Sequence, residues 1–100
     1  MTKKSEKVQL IHPQGKHAPA ISADNFNLFE KAILHVMKHS ASPITWTQLE
    51  KGVKEYLAEN DIEFGGSPGW FAVSVKMHLE ATGVLERFIE KGKKLHRLKK

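Results

Sequence analysis

The sequence has no cysteine and no long apolar run, and these two absences exclude several kinds of protein. Without cysteine the chain can form no disulfide bond, no thiolate metal site and no cysteine nucleophile. A transmembrane helix needs roughly 20 consecutive apolar residues, and no segment approaches that length. The basic start of the chain is not followed by the apolar run of a signal peptide. We therefore expect the 100 residues to form one cytoplasmic domain that makes no contact with a membrane.

Catalytic motifs are also lacking. His35 and His39 are four residues apart, a spacing at which two imidazoles of a helix can share a metal ion. No nearby cysteine or carboxylate completes a ligand set, so we interpret the pair as part of a solvated helix face. Gly15-Lys16 lacks the upstream glycine and the following Ser or Thr of a phosphate-binding loop. We expect no enzyme activity, no cofactor, no metal ion and no small-molecule substrate.

Positive charge is present in excess, and it is concentrated at the two ends of the chain. The net charge is +5. Residues 1–20 carry four lysines against one glutamate, and residues 87–100 carry seven basic residues against one acidic residue. The middle, residues 21–86, is acidic, with five lysines against nine carboxylates. Because a local concentration of positive charge attracts polyanions, the basic C-terminal segment suggests a nucleic-acid partner.

The first 20 residues are predicted to form an N-terminal arm that precedes a domain of residues 21–100. Residues 1–7 are polar and are predicted to be disordered. Residues 8–11 have the composition of a short strand, and the next four residues, His12-Pro13-Gln14-Gly15, suit a type I turn. Two prolines prevent a helix before residue 21. The apolar side chains of the arm should pack against the domain.

Three helices are predicted within the domain. Ser22 begins the first, and Thr45 with Gln48 forms a capping box at the start of the second. Ser67, followed by proline, begins the third. Gly52 lies among the apolar residues of the second helix, where glycine is tolerated most readily if another backbone comes close. It therefore predicts a point of helix crossing.

The stretch from Ile44 to Leu98, which includes the second helix after Thr45, resembles the winged helix-turn-helix superfamily. Gly83 ends the third helix, residues 84–89 form a strand, and Glu90-Lys91-Gly92-Lys93 turns into a second strand at residues 94–98. The run Leu79-Glu80-Ala81-Thr82-Gly83-Val84-Leu85-Glu86-Arg87 is similar to the recognition-helix exit and first wing strand of many bacterial regulators. The resemblance implies an α+β, mainly α, winged-helix-like three-helix domain with a C-terminal β-hairpin as its wing, and it implies DNA binding.

A second resemblance covers the whole chain. Through His12-Pro13-Gln14-Gly15-Lys16-His17-Ala18-Pro19 and Gly65-Gly66-Ser67-Pro68-Gly69-Trp70, the sequence resembles a family of small uncharacterised bacterial proteins. That resemblance implies no established activity.

The basic hairpin carries the leading functional prediction, which is non-enzymatic binding of double-stranded DNA. Several cations near its tip can reach phosphates together, and such contacts make binding sensitive to salt. The predicted nucleic-acid contacts are Lys91, Lys93, Lys94 and Arg97 on phosphates, with Lys76 and Ser74 of the third helix in a groove.

The third helix supports an alternative function, because it has a second apolar sector apart from its core face. Trp70, Val73 and Met77 form this apolar stripe, and Lys76 is the only Lys or Arg of the helix. A groove-reading helix usually exposes more polar and basic side chains. The stripe is therefore either covered by the N-terminal arm or open to a partner. The alternative function is a protein–protein interaction or dimerisation module that uses the stripe.

Overall fold

The computed structural model describes residues 7–12, 14–16, 18–40, 43–62 and 66–98. In these ranges the fold is α+β and mainly helical. The helices are α1 (Ala23–Lys38), α2 (Trp46–Glu59) and α3 (Pro68–Ala81). The strands are β1 (Lys7–Gln9), β2 (Ala20–Ser22), β3 (Leu85–Glu90) and β4 (Lys93–Leu98). No helix in the part of the chain that the structure describes is long and apolar enough to cross a membrane.

The three helices begin at the polar residues that the sequence predicted. The Ser22 hydroxyl accepts a hydrogen bond from a backbone N–H in the first turn of α1, and Ser67 does the same for α3. At α2, Thr45 Oγ1 accepts from the Gln48 N–H at 3.2 Å, and Gln48 Oε1 accepts from the Thr45 N–H at 2.9 Å. This reciprocal pair is the predicted capping box, and it satisfies two N–H groups that the helix leaves without a partner.

The prediction that Gly83 ends α3 is also confirmed. Gly83 has a φ of +85°, a conformation that favours glycine because it has no Cβ. The Gly83 N–H donates to the Glu80 carbonyl at 3.3 Å, and the Val84 N–H donates to the Leu79 carbonyl at 2.9 Å. These two bonds form a Schellman motif, which turns the chain out of the helix and into β3.

The core lies where the three helices meet, and the base of the hairpin closes it. The predicted core face of α3 is buried through Ala72, Val75 and Leu79. The largest fully buried apolar side chains are Phe29, Ile33, Leu49, Leu79, Leu85, Val53 and Val75. Contributions from all three helices and from β3 mean that the hairpin is fixed to the helical core at its base.

Gly52 lies where α1 crosses α2, as predicted. A Cβ atom built on Gly52 would lie 2.8 and 2.9 Å from the two methyl groups of Val36 in α1. A larger side chain at position 52 fits only if the Val36 side chain or one of the two helices shifts. The absence of a side chain therefore sets the separation of the two helices.

The N-terminal arm folds back and pairs with the residues that lead into α1. Strand β1 is antiparallel to β2, and Lys7 lies opposite Ser22. Lys7 is therefore ordered in a strand, which corrects its assignment to the disordered segment; residues 1–6 lie outside the described residues. The Gly15 N–H donates to the His12 carbonyl at 2.9 Å, as in the predicted turn, although Pro13 itself is not among the described residues.

Strands β3 and β4 form the predicted hairpin, with ends that differ from the prediction by one residue. The strands are antiparallel, and their pairing runs from Leu85 opposite Leu98 to Glu90 opposite Lys93. Lys91 and Gly92 have φ values of +53° and +79°, as in a two-residue type I′ turn. The backbone twist of this turn matches the twist of the flanking strands.

A short segment between α1 and α2 adds to the hairpin. The Ile44 N–H donates to the His96 carbonyl at 3.1 Å, and the His96 N–H donates to the Ile44 carbonyl at 2.8 Å. This antiparallel bridge places Ile44 beside β4, on the side away from β3. The hairpin is thus tied by backbone hydrogen bonds to the connection between the first two helices.

Candidate nucleic-acid interface

The outer part of the hairpin presents its cations to solvent. Lys91, Lys93 and Lys94 are exposed around the turn. Arg87 is also exposed, and it lies on the same face as Lys94 because side chains alternate along a strand and paired residues share a face. Arg87 was not among the predicted contacts. The two-residue period of β3 places it on the same face as Ile89, which pairs with Lys94.

Arg97 has a different environment, on the opposite face of the hairpin. Its Nε lies 2.9 Å from Oε1 of Glu86, the residue directly across from it on β3. Its guanidinium carbon lies 4.6 Å from the centre of the Phe88 ring. A phosphate therefore has to compete with a carboxylate for Arg97, whereas the lysines of the turn are not in salt bridges within the described residues.

Residues 85–98 carry five basic side chains against two acidic ones. Arg87 and the three turn lysines are exposed, and Ile89 lies among them with 69% of its surface exposed. The outer part of the hairpin therefore concentrates positive potential in a small volume. Such a potential attracts a polyanion and accelerates its encounter with the protein.

Lys76 points into the protein, toward the base of the hairpin. Its Nζ lies 2.8 Å from Oε2 of Glu80, one helical turn later, and 3.3 Å from Nε2 of His96 on β4. Lys76 is 5% exposed and Ser74 is 7% exposed. Neither side chain is available to a groove, which corrects the prediction that they contact DNA. A helical wheel groups Lys76 with Glu80, but it does not show that β4 covers that side.

Lys76, Glu80 and His96 form a buried polar cluster between α3 and β4. The Nδ1 of His96 lies 3.1 Å from the Ile44 carbonyl, to which it donates its proton. The Nε2 of the neutral ring then accepts from the Lys76 ammonium. Burial and the charge of Lys76 lower the pKa of His96 below its ordinary value, although the Ile44 carbonyl and Glu80 act in the opposite direction. The ring is therefore neutral at neutral pH.

The polar cluster positions the hairpin. It joins one residue of β4 to two residues of α3 and to the strand-like segment at Ile44, and the Trp46 ring covers the ammonium of Lys76 at 5.6 Å from its centre. Every buried polar side-chain atom among the described residues has a hydrogen-bond partner. Sequence reasoning missed this cluster. Two sequence features could have indicated it: the Lys–Glu pair at i, i+4 in α3, and a histidine at an inward position of β4.

The apolar stripe of α3 is partly covered by the arm. Leu10 is buried, and the Ile11 N–H donates to Nδ1 of His78 at 3.0 Å. A small cavity of about 50 Å³ lies between the arm and the Met77 end of the stripe. Trp70, at the other end, is 46% exposed. The arm therefore lies beside the Met77 end of the stripe, and the Trp70 end is exposed to solvent.

The histidine pair of α1 lies beside α2. The rings of His35 and His39 have centres 4.3 Å apart, and Tyr56 lies 4.9 Å from His35. Within residues 7–12, 14–16, 18–40, 43–62 and 66–98, no three His, Cys, Asp or Glu side chains are placed to hold a metal ion. The rings of His35, His39 and Tyr56 are tilted against one another at this face.

Comparison with known proteins adds a family assignment. No curated protein and no solved structure is significantly similar to the chain. One family model matches, and it covers residues 7–95, which include the arm, all three helices and most of the hairpin. The chain belongs to this family, which is described as a family of unknown function (DUF6958).

Proposed function

We propose that the protein is a winged-helix-like, non-enzymatic nucleic-acid-binding protein that contacts double-stranded DNA through the β3–β4 hairpin. The order of elements supports this proposal. A short strand segment at Ile44 stands between the first two helices, α3 follows α2, and a hairpin ends the chain. The segment pairs with the last strand. In a winged helix the corresponding hairpin projects beside the third helix and lies next to the duplex.

The observation that carries the proposal is the exposed group of cations on the hairpin. Lys91, Lys93 and Lys94 surround the turn, and Arg87 adds a fourth exposed charge on one face. The α3 helix offers no exposed Lys or Arg for the contact, because its single such residue, Lys76, is buried against Glu80. DNA binding is therefore assigned to the hairpin. Arg97 remains a proposed contact, in competition with Glu86.

Reversal of the three turn lysines (Lys91→Glu, Lys93→Glu and Lys94→Glu together) is expected to abolish binding to a mixed-sequence duplex. Three phosphate contacts correspond to a salt slope of about −2.7, so the affinity of the parent protein should fall roughly 40-fold between about 50 and about 200 mM salt. Fluorescence anisotropy of a labelled duplex at both salt concentrations measures this difference.

The matched control reverses three exposed lysines elsewhere: Lys31, Lys38 and Lys51. It has the same net charge as the hairpin variant, and it should keep most of the affinity of the parent. If both variants bind equally well, or if the parent shows no salt-sensitive binding, the hairpin is not the DNA-binding surface.

The second candidate function is dimerisation or protein binding through the stripe of Trp70, Val73 and Met77. The observation that favours it is the exposure of Trp70, whose ring packs edge-on against Phe71 with centres 4.8 Å apart. Exposed tryptophans are enriched at the energetic centres of interfaces. On the arm, Ile11 adds a second large apolar side chain, which is 51% exposed.

Trp70→Ser is expected to shift a concentrated sample from dimer to monomer, because the anchor of the interface is removed. Light scattering coupled to size exclusion measures the mass. Ile89→Ser is the control, since it removes an exposed apolar side chain from the hairpin and not from the stripe. A parent protein that remains monomeric at high concentration contradicts dimerisation through the stripe.

A further inference from the structure

The N-terminal arm is attached to α3 through a histidine ring nitrogen. The Ile11 N–H donates to Nδ1 of His78 at 3.0 Å. An imidazole nitrogen accepts a hydrogen bond only through its lone pair, so Nδ1 must be unprotonated and the ring must be neutral, with its proton on Nε2. Addition of a second proton converts Nδ1 from an acceptor into a donor. The contact between arm and helix is therefore incompatible with the charged ring.

The surroundings of His78 favour the neutral ring. The Phe26 ring of α1 packs against it at nearly a right angle, with ring centres 5.2 Å apart. Partial burial lowers the pKa of His78 below its ordinary value, while the Glu30 carboxylate of α1 acts in the opposite direction. From the arm, His12 follows Ile11 directly, and its own Nδ1 accepts from the Gln14 N–H at 3.0 Å.

The loop of the arm is closed independently of α3. The Leu10 N–H donates to the Pro19 carbonyl at 3.1 Å, and the Gln9 side-chain amide donates to the Ala18 carbonyl at 2.8 Å. Leu10 is 3% exposed, so its side chain holds the base of the loop in the core. The outer part of the arm begins at Ile11, which is tied to α3 by the His78 hydrogen bond, and Ile11 and His12 line the cavity next to Met77.

We propose that His78 is a proton-operated latch, whose protonation at Nδ1 breaks the bond to Ile11, loosens the outer arm from α3 and uncovers the Met77 end of the stripe. The proton comes from solvent and binds the Nδ1 lone pair, while Nε2 keeps its own proton. The Ile11 N–H then has water as its acceptor. The latch is closed at neutral pH and opens as the pH falls through the pKa of His78. It requires no DNA binding by the hairpin.

The experiment measures solvent exchange of the Ile11 amide by NMR between about pH 7.5 and about pH 5, corrected for intrinsic exchange. In the parent, the protection factor of this amide should fall about tenfold or more at the lower pH, which corresponds to one lost hydrogen bond. In His78→Asn it should stay high at both pH values, because the Asn oxygen occupies the position of Nδ1 and does not titrate. In His78→Ala the protection factor of the Ile11 amide should be low at both pH values.

Two controls separate the latch from other titrations. The Val75 amide in the core must stay protected at about pH 5, which shows that the domain remains folded. His12→Asn keeps an acceptor for the Gln14 N–H and removes the neighbouring imidazole, and it should behave as the parent does. The proposal is overturned if protection of Ile11 is independent of pH, if His78→Asn loosens as the parent does, or if His12→Asn abolishes the effect. It is also overturned if the ring ¹⁵N signals of His78 show the proton on Nδ1 at neutral pH.

Discussion

Replacement of Glu80 by glutamine is expected to lower the free energy of unfolding by about 3 kcal/mol. The side chains of Lys76 and Glu80 are only 7% and 6% exposed, so the charge of the lysine is compensated mainly by this carboxylate. Glutamine keeps the shape of the side chain but removes its charge, which leaves a buried ammonium beside the neutral His96 ring. Urea unfolding of the two proteins, followed by circular dichroism, measures the difference.

The control is a Lys–Glu pair with the same helical spacing at the surface of α2. Lys54 and Glu50 are 3.7 Å apart, and their side chains are 57% and 31% exposed. Glu50→Gln should change the free energy of unfolding by less than about 0.5 kcal/mol, since solvent screens this pair. If the two substitutions have equal effects, the polar cluster does not behave as a buried site.

A second substitution distinguishes loss of charge balance from loss of packing. Lys76→Met added to Glu80→Gln removes the unpaired ammonium and keeps the volume of both side chains, and the glutamine amide can donate to Nε2 of His96. The double variant should recover about half or more of the lost stability, because a buried ion pair is often replaced at little cost by neutral groups of similar shape. A double variant that is less stable than Glu80→Gln contradicts this account.

Features that depend on a few consecutive residues were predictable from the sequence. The capping box at Thr45, the stop at Gly83 and the turn at Lys91-Gly92 all follow from backbone requirements that neighbouring residues satisfy. Gly52 was also interpretable, because glycine in the apolar face of a helix indicates the close approach of another element. The strand positions in the hairpin are within one residue of the prediction for the same reason.

Features that depend on contacts between distant segments were not predictable in this way. The arm was expected to pack on the domain, but its pairing with residues 20–22 is set by tertiary contacts. Lys76 shows the limit most clearly. Its sequence position marks it as a polar residue of α3, and only the placement of β4 shows that it is buried.

The burial of Lys76 divides the roles of α3 and the hairpin. Lys76 of α3 is used to anchor β4. In the proposed interface α3 therefore positions the hairpin, and the hairpin supplies the positive charge. The outer surface of α3 is in turn occupied by the arm at Met77 and left open at Trp70. The proposed DNA contact and the proposed interaction surface therefore use separate parts of the molecule, and each can be removed without the other.

Gly52→Val is expected to lower the free energy of unfolding by about 3 kcal/mol, even though valine has a higher helix propensity than glycine. The Cβ alone would lie 2.8 Å from the nearest methyl group of Val36, and the β-branched side chain of each residue is rigid. The overlap is relieved only if the Val36 side chain leaves its position or α1 and α2 move apart, and movement of the helices opens the core around Phe29 and Ile33. Thermal and urea unfolding measure the loss.

Two further variants test whether the contact with Val36 is the cause. Val36→Ala removes the opposing methyl groups, so in a double-mutant cycle it should recover about 1–2 kcal/mol of the loss caused by Gly52→Val.

Gly69→Ala is the contrasting glycine substitution. Its Cβ meets the Glu50 carboxylate, the far end of a flexible side chain that can turn away. Because alanine is the better helix former, Gly69→Ala should leave stability unchanged or raise it by about 0.5 kcal/mol, whereas Gly52→Ala should lower it by about 1 kcal/mol. Equal effects at the two glycines would mean that helix propensity, and not the separation of α1 and α2, determines the outcome.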